Sequence, residues 1–457
     1  MAASAKSAAV EIVRTLRDRG YQAYLVGGCV RDLVLGREPA DYDVSTDARP
    51  EEVMRMFPKP WAFGAQFGVV LVPIDSVVAD HPIARSPDRP RTVEVATFRS
   101  DGLYSEGRHP DQVTYSKDPR EDVQRRDFTI NGLLLDPITN QVLDYVGGQS
   151  DLRHQLIRTI GAPEKRFAED NLRMLRAVRF AARFGYRIDP DTMRAIQQLA
   201  PQIAQVSRER VRDELAKMLT EGRARRAFEL LDETGLLHEV LPEVEKMKGV
   251  EQPPEFHPEG DVWVHTLLML EKLPPHASPT LGWGALLHDV GKPPTFRVAP
   301  DRIRFDHHVE VGVAMAEDIA RRLHMSNADT RQMAALVGQH MRFADALHMK
   351  ASTLKRFLRQ PEFAEHLEMH RIDCLASHGD LAIHEYLRKK LEETTPEQIR
   401  PHPLLTGHDL LAMGYRPGPR FREILSAVED AQLEGSATSR EQAVELVRRE
   451  FPLSQTG

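Results

Sequence analysis

The stretch LVGGCVRDLVLGREPADYDVST, Leu25–Thr46, decides the reading of the fold. It begins inside an apolar run, Tyr21–Val26, that predicts a short strand. Gly27 and Gly28 follow at once, and Val30–Leu35 predicts a helix stopped by Gly36. Asp41–Thr46 predicts the next strand. Glycines at a strand-to-helix turn let backbone amides approach a ligand closely, and a helix N-terminus favours negative charge. Arg31 and Asp32 fall in the first turn, where Arg31 can reach a triphosphate. Alternation along a strand puts Asp41 and Asp43 on one face, ~6–7 Å apart. Such a pair can hold Mg²⁺, which takes one or two carboxylates plus substrate phosphates. Two ions so held can clamp the attacking and leaving oxygens of a phosphoryl displacement. Glu94, in the predicted strand Thr92–Phe98, offers a third carboxylate. D-x-D alone is common on protein surfaces; the order strand, GG, RD, strand, DxD is the informative part.

Working outward, Ala9–Arg19 predicts a helix and Val69–Ile74 a further strand. Ala79–Pro90 and Arg99–Pro110 predict loops. Beyond Arg120 helical periodicity takes over, so the first 150 residues predict an α+β head and the remainder an all-α body. Gly249–Gly260 and Pro401–Pro403 are the candidate linkers. The chain has 457 residues, 28% charged and 41% hydrophobic. That balance is ordinary for globular proteins, and the length predicts several domains. No run approaches the ~18 apolar residues of a membrane span. The opening MAASAKSAAVEIVRTLRDRG has no signal-peptide core. Cys29 and Cys374 are the only cysteines, which excludes a disulfide framework and predicts a reducing, cytoplasmic setting.

The net charge of −7 argues at first against a nucleic-acid partner. Its distribution reverses that. Arg153–Arg226 holds 17 Lys/Arg against 9 Asp/Glu, a surplus of eight, which leaves −15 on the rest. Within this block, about 100° per residue places Glu169, Arg173 and Arg176 on one helical stripe, with Asp170 beside it. Leu172, Leu175, Val178 and Ala182 occupy the opposite, buried arc. Cytosine and adenine both present an amino donor beside a ring-nitrogen acceptor, whereas uracil and guanine present the reverse. A carboxylate beside an arginine therefore suits C and A and leaves unpaired groups against U and G.

These motifs carry a resemblance. LVGGCVRDLVLGREPADYDVST resembles the head motif of the class II tRNA nucleotidyltransferase and bacterial poly(A) polymerase family. VEVATFRSDGLYSEGRHP (Val93–Pro110) is similar to its second catalytic strand and flexible loop, RRDFTINGLLLDP (Arg125–Pro137) to its sugar-contacting motif, and EDNLRMLRAVRFAARFGY (Glu169–Tyr186) to its base-reading motif. The resemblance covers about the first 190 residues and implies a polymerase-β-like head. It implies that Asp41, Asp43 and Glu94 are catalytic, with Asp41 and Asp43 on Mg²⁺, and that Gly28 and Arg31 meet the triphosphate. Arg125 or Arg126 would contact sugar or phosphate, with Asp127 and Asn131 nearby. Asp170 and Arg173 would pair with the base, and Arg176 and Arg179 would assist nucleotide binding. The basic stretch, including Arg208, Arg210, Arg212, Arg223, Arg225 and Arg226, would track a tRNA backbone.

Downstream, His265, His288-Asp289 and Asp373 bracket His307, His308 and His340. Imidazole and carboxylate ligands suit a first-row transition metal, although a buried core histidine explains any one of them alone. The string HTLLML, ALLHDVGKP, HHVEVG, RID resembles the HD phosphohydrolase superfamily. That resemblance implies His265, His288, Asp289 and Asp373 as ligands of Ni, Mn, Fe or Co, with His308 and His340 as supporting or second-metal groups. Cyclic phosphates or phosphate ends of RNA would be substrates. Leu404–Phe451 resembles the family's helical tail.

The sequence thus predicts a nucleotidyltransferase head (1–150), a helical neck (151–225), an HD region (226–385) and a tRNA-contacting tail (386–457). The expected activity is addition of C and A from CTP and ATP to the tRNA 3′ end. A-only addition, CC-only addition and poly(A) synthesis remain open within the family. Across classes, the alternatives are a protein uridylyltransferase and an HD phosphohydrolase whose head merely binds RNA. Arg99–Pro110 looks complete, which counts against CC-only addition.

Overall fold

The computed structural model describes residues 5–62, 68–74, 92–101, 113–253, 258, 260–300 and 302–453. The Ala79–Pro90 loop lies outside them, as does most of Arg99–Pro110. The chain divides into two compact units, Met1–Pro242 and Glu243–Gly457. The predicted internal boundaries near 150, 225 and 385 fall inside the helices Gly148–His154, Ala224–Glu233 and Ala382–Glu393.

The first unit is built on a mixed sheet. Its strands are β1 (Ala23–Val26), β2 (Asp43–Thr46), β3 (Trp61–Ala62), β4 (Val69–Pro73), β5 (Thr92–Thr97), β8 (Leu133–Asp136) and β9 (Gln141–Asp144); β6 (Arg99–Asp101) and β7 (Val113–Tyr115) pair separately. The order is β3-β4-β5-β2-β1-β8-β9, and β2 with β5 is the parallel pair. β8 and β9 are strands that the helical reading beyond Arg120 misses. Both are four residues long, too short for periodicity to separate from a helix turn. The helix Ala5–Asp18 packs on β1, β2 and β5 through Ala8, Ala9, Ile12, Val13 and Leu16, all fully buried.

β2 begins at Asp43, two residues later than predicted, because its antiparallel partner β1 ends at Val26, opposite Asp43. Asp41 therefore sits in a bend ahead of the strand. Gly27 has φ 76°, a left-handed value that glycine adopts freely, and its N–H donates to the Leu133 carbonyl. The helix Gly28–Val34 starts there.

The predicted helix through Glu169 is broken. Pro163–Glu169 and Leu172–Phe184 are separate helices, and Asp170 is extended between them with φ −156° and ψ 103°. The Asp170 carboxylate accepts from the Leu172 N–H at 3.1 Å, a local bond that competes with continued helix. Leu172, Leu175, Val178 and Ala182 are buried as the pattern requires. Leu172–Phe184 packs on the helices Arg208–Thr220 and Ala224–Glu233.

Among the described residues the second unit is helical apart from a hairpin pairing Arg297–Val298 with Ile303–Arg304. Val262–Glu271 and Pro279–Leu287 are apolar around most of their circumference and form its centre, with Trp283 fully buried. A Cβ added to Gly291 would lie 2.1 Å from the His308 carbonyl and 2.6 Å from the Gly312 nitrogen. Glycine there lets the helix His308–Arg322 close onto the His288-Asp289 turn. A separate apolar cluster around Leu405, Leu410, Tyr415, Ile424 and Val447 holds the C-terminal helices together.

Candidate functional site

Asp43 and Glu94 are register partners on the parallel strands β2 and β5, so their side chains leave the same face of the sheet. Val93 and Val95, on either side of Glu94, are buried. Burial, followed by the charges of Glu94 and Asp41, pushes the Asp43 carboxyl up to about 7, against a partial opposing effect of Arg126. Glu94 is raised by desolvation and by Asp41. Carboxylates that raise one another in this way form a site that a divalent cation relieves, and the all-oxygen donor set fits Mg²⁺.

Asp122, which sequence reasoning missed, organises the cations beside this site. It is fully buried in the helix Pro119–Gln124 and accepts from Arg125 Nε and Nη2 at 2.9 and 2.7 Å. It also accepts from Arg126 Nη2 at 3.0 Å and the Ser45 hydroxyl at 3.3 Å. Burial favours its protonation, but Arg126 and Arg125 override this and hold it at about 2. Its i,i+3 and i,i+4 spacing to the two arginines is the signal that was available. Arg126 lies against the glycine turn, 3.3 Å from where a Gly27 Cβ would stand.

Arg31 is buried. Its Nε donates to Asp32 at 2.8 Å, its Nη1 to Asn131 Oδ1 at 2.7 Å, and its guanidinium lies 4.7 Å from the Phe184 ring centroid. Gly28 borders it, with a built Cβ 3.6 Å from Arg31 Nη2. Asn131 in turn donates to Asp127 at 3.1 Å, and the other Asp127 oxygen accepts from Arg176 Nε and Nη2 at 2.9 and 2.6 Å. A continuous chain of hydrogen bonds thus joins the glycine-turn helix to the helix Leu172–Phe184. Burial would raise Asp127, yet Arg176 holds it at about 2.

At the base-reading motif, Arg173 pairs with Glu169 at 2.7 Å and donates to the Arg125 carbonyl at 3.1 Å. Asp170 is held by a different residue: Arg210 grips both its oxygens, at 3.1 and 2.7 Å. Arg179 is buried and pairs with Glu214 at 2.6 Å and Glu221 at 3.1 Å. Several arginines of the basic block also meet carboxylates of their own unit, Arg212 with Asp213, Arg225 with Glu229, and Arg226 with Glu229 and Glu233.

In the second unit, among the described residues, two groups bring potential ligand atoms within 4.8 Å of one another: His265, His288 and Asp373, and Asp289, His308 and His340. Asp289, in the second group, also lies beside His288 of the first. His265 Nε2 is 3.2 Å from Asp373, and His288 Nε2 is 3.1 Å from Asp289 Oδ2. Burial favours protonation of both carboxyls; the His265 hydrogen bond overrides it at Asp373, and His288 and Lys292 override it at Asp289. Both end well below the ordinary range. Burial lowers His340 to about 4. Lys292, also missed, donates to Asp289 Oδ2 at 2.7 Å and to Gln252 at 2.6 Å. A cavity of about 670 Å³ opens over both groups and includes Arg302, Phe305, Phe343 and His370 in its wall.

Comparison with known proteins agrees with this architecture. Residues 23–158 match the model of the poly A polymerase head domain, 185–248 that of the probable RNA- and SrmB-binding site of polymerase A, and 261–398 that of the HD domain. A polymerase-type head followed by a helical RNA-binding segment and an HD region defines the class. The chain belongs to the CCA-adding enzyme family: it is 30% identical over 444 residues to the CCA-adding enzyme of Lactobacillus gasseri, covering 96% of each chain. The Geobacillus stearothermophilus CCA-adding enzyme is 43% identical over 228 residues, a match that spans 50% of this chain and about half, 53%, of that relative. The crystal structure of the Bacillus stearothermophilus CCA-adding enzyme in complex with CTP superposes with a TM-score of 0.72 at 28% identity over 97% of both chains. The Thermotoga maritima CCA-adding enzyme complexed with tRNA, at 18% identity and a TM-score of 0.54, shares the fold.

Proposed function

We propose that this chain is a template-independent tRNA nucleotidyltransferase that adds C and A from CTP and ATP to the tRNA 3′ end. The observation that carries the reading is the register pairing of Asp43 with Glu94 beside the Gly27-Gly28 turn. In the reaction the RNA 3′-hydroxyl attacks the α-phosphate and pyrophosphate leaves. Asp41 and Asp43, with Glu94, would hold Mg²⁺, which supplies Lewis acidity to the phosphate oxygens when bound. Gly28 and Arg31 border the triphosphate. Arg126, anchored by Asp122, brings positive charge to the carboxylates, and Arg125 is anchored by the same residue for sugar or phosphate. Asp170 and Arg173 read the base, while Arg176 and Arg179 act behind them through Asp127 and Glu214. The segments 1–150, 151–225, 226–385 and 386–457 serve as head, neck, HD region and tail, with tRNA following the basic neck and the tail. A tRNA substrate places the protein in the cytoplasm.

The test supplies tRNAs ending before CCA, after C and after CC with each nucleotide and Mg²⁺, and sequences the products. Addition of CCA to the shortest end is expected. No incorporation of CTP or ATP would sink the reading, and addition of only A or only CC would assign a narrower member of the family.

A second activity is favoured by one observation. The Nε2 atoms of His288, His308 and His340 and the Asp289 Oδ1 are buried and have no hydrogen-bond partner among the described residues. We infer that His265, His288, Asp289 and Asp373 hold a transition metal (Ni, Mn, Fe or Co) and that the HD region hydrolyses phosphate esters, with cyclic or terminal phosphates of RNA as the class. Metal-dependent phosphodiesterase activity should be lost in Asp289→Ala. Equal rates in the two proteins would leave the region a structural role.

A further inference from the structure

The cavity of the second unit offers more room than a phosphate group fills. It encloses about 670 Å³, a size typical of pockets that take a whole small molecule. Each histidine–aspartate group, by contrast, gathers its atoms within 4.8 Å. The rest of the wall is aromatic, apolar and basic, and chain connectivity ties it to those groups. The His308 Nδ1 lies 2.9 Å from the Phe305 carbonyl, so the hairpin of Arg297–Val298 and Ile303–Arg304 runs directly into the cluster. Met341 follows the buried His340. Phe343 stacks on His370, with ring centroids 4.4 Å apart and planes 14° from parallel, and both line the cavity.

The hairpin carries this surface outward into solvent. Val298 and Ile303 are cross-strand partners, so their side chains leave the same side of the ribbon. Ile303 lines the cavity, whereas Val298 is 72% exposed. Phe296 is 40% exposed and its ring centroid lies 5.9 Å from that of Phe305 in the wall. Met341, also in the wall, is 55% exposed. A single exposed apolar residue needs no explanation, but a set beside one cavity marks a contact surface. The charge beside it is positive. Arg302 is exposed in the wall and has no carboxylate partner among the described residues. Its backbone is fixed, since its carbonyl accepts from the Ala299 N–H at 3.0 Å. The nearby Asp306 is already paired with Arg297 at 2.6 Å.

Aromatic and apolar faces beside an unpaired guanidinium are the means by which proteins hold single-stranded nucleic acid, with bases stacked and phosphates on cations. A small phosphate ester needs the histidine–aspartate groups alone and leaves the hairpin without a part. We propose that this hairpin seats the end of a single RNA strand. The terminal nucleoside lies in the cavity beside Phe305 and His370 with its phosphate at the histidines. The preceding base rests on Phe296 and Val298, and its phosphate meets Arg302. The inference deepens the HD reading above and rests on it, adding that the substrate is a strand rather than a mononucleotide. For a 2′,3′-cyclic phosphate end, water adds to phosphorus, one ring P–O bond breaks and the released ribose oxygen takes a proton.

The test compares two substrates on the Mn²⁺-loaded full-length chain: a short RNA ending in a 2′,3′-cyclic phosphate, and the 2′,3′-cyclic mononucleotide. The RNA should show a KM about ten- to a hundredfold lower than the mononucleotide. The combined change Phe296→Ser and Val298→Ser, and separately Arg302→Gln, should remove most of that advantage while kcat and the mononucleotide KM stay unchanged. These side chains are exposed, and circular dichroism checks that the variants fold. In EDTA, a 4-thiouridine next to the RNA terminus should crosslink to the peptide spanning Phe296–Phe305. Equal KM values for the two substrates, an RNA advantage untouched by the hairpin changes, or no crosslink to that peptide would overturn the inference and leave the HD reading standing. Hydrolysis of neither substrate would overturn both.

Discussion

Asp43 and Glu94 stand side by side on the parallel strands β2 and β5, two carboxylates presented by adjacent rigid backbones with Asp41 just upstream. Without a cation this arrangement is destabilising near neutral pH. The Asp43 carboxyl titrates at about 7, against an ordinary 3.8. Between those values the native state keeps a proton that the unfolded chain has released, so this group's contribution to stability falls as pH rises through the window. Mg²⁺ should reverse the trend by replacing the proton. Melting curves at pH 5 and pH 8 are expected to show a Mg²⁺-dependent rise in Tm that is larger at pH 8, and Asp43→Asn should abolish the difference together with nucleotide incorporation. A Mg²⁺ effect equal at both pH values and unchanged in the variant would contradict the assignment.

The opposite sign applies to Asp127, which Arg176 holds at about 2. Its stabilising contribution is complete above the ordinary carboxyl range and is lost as pH falls from about 4 toward 2. With a side chain only 11% exposed, the effect is on the order of 2 kcal/mol. Urea unfolding at pH 6 and pH 3 should show a steeper acid loss in the wild type than in Asp127→Asn. Parallel losses would mean that the Arg176 pair contributes little.

Arg179 is predicted to behave as a structural residue. Removing one partner of a buried pair leaves an uncompensated charge and typically costs about 3–5 kcal/mol. Arg179→Ala should therefore lower the urea midpoint by leaving the buried Glu214 with Lys217, at 3.3 Å, in place of its closer guanidinium partner. Arg179→Met combined with Glu214→Leu, which removes both charges, should recover most of that loss. If the single substitution leaves stability intact and raises only the KM for nucleotides, Arg179 touches substrate directly.

Much of this was legible in the sequence, and the reasons are local. Strand, glycine turn, helix and strand follow one another within Leu25–Thr46, so order along the chain is also order in space. Glu94 was readable because it alternates with valines in a strand. What stayed hidden depends on contacts between distant segments. Arg210 lies 40 residues from Asp170, and Glu214 lies 35 from Arg179. A periodicity rule that assumes one unbroken helix through Glu169 has no way to register that Asp170 is extended between two helices and turns toward Arg210. The HD residues were readable as a set, but not which Asp289 oxygen faces which ring. Only packing decides that.

The Arg210 pairing leads to the sharpest prediction about specificity. A carboxylate has about four lone-pair sites, and Arg210 occupies one on each oxygen of Asp170 while the Leu172 N–H takes another on Oδ1. The Asp170 carboxylate is thereby fixed in orientation with acceptor capacity remaining for the amino group of cytosine or adenine. Without Arg210 only the Leu172 N–H holds the side chain, and the geometric penalty against uracil and guanine weakens before catalysis does. Arg210→Ala should leave CTP incorporation within about tenfold of wild type while raising UTP misincorporation relative to CTP by about ten- to a hundredfold, equivalent to roughly 1.4–2.8 kcal/mol of lost discrimination. Arg210→Lys keeps the charge but loses the two-point grip and should fall in between. Competition assays with mixed CTP and UTP on a tRNA lacking its last three nucleotides measure the ratio directly. If Arg210→Ala lowers CTP and UTP use in the same proportion, Arg210 serves RNA backbone binding alone and base choice is set by Asp170 and Arg173 without it.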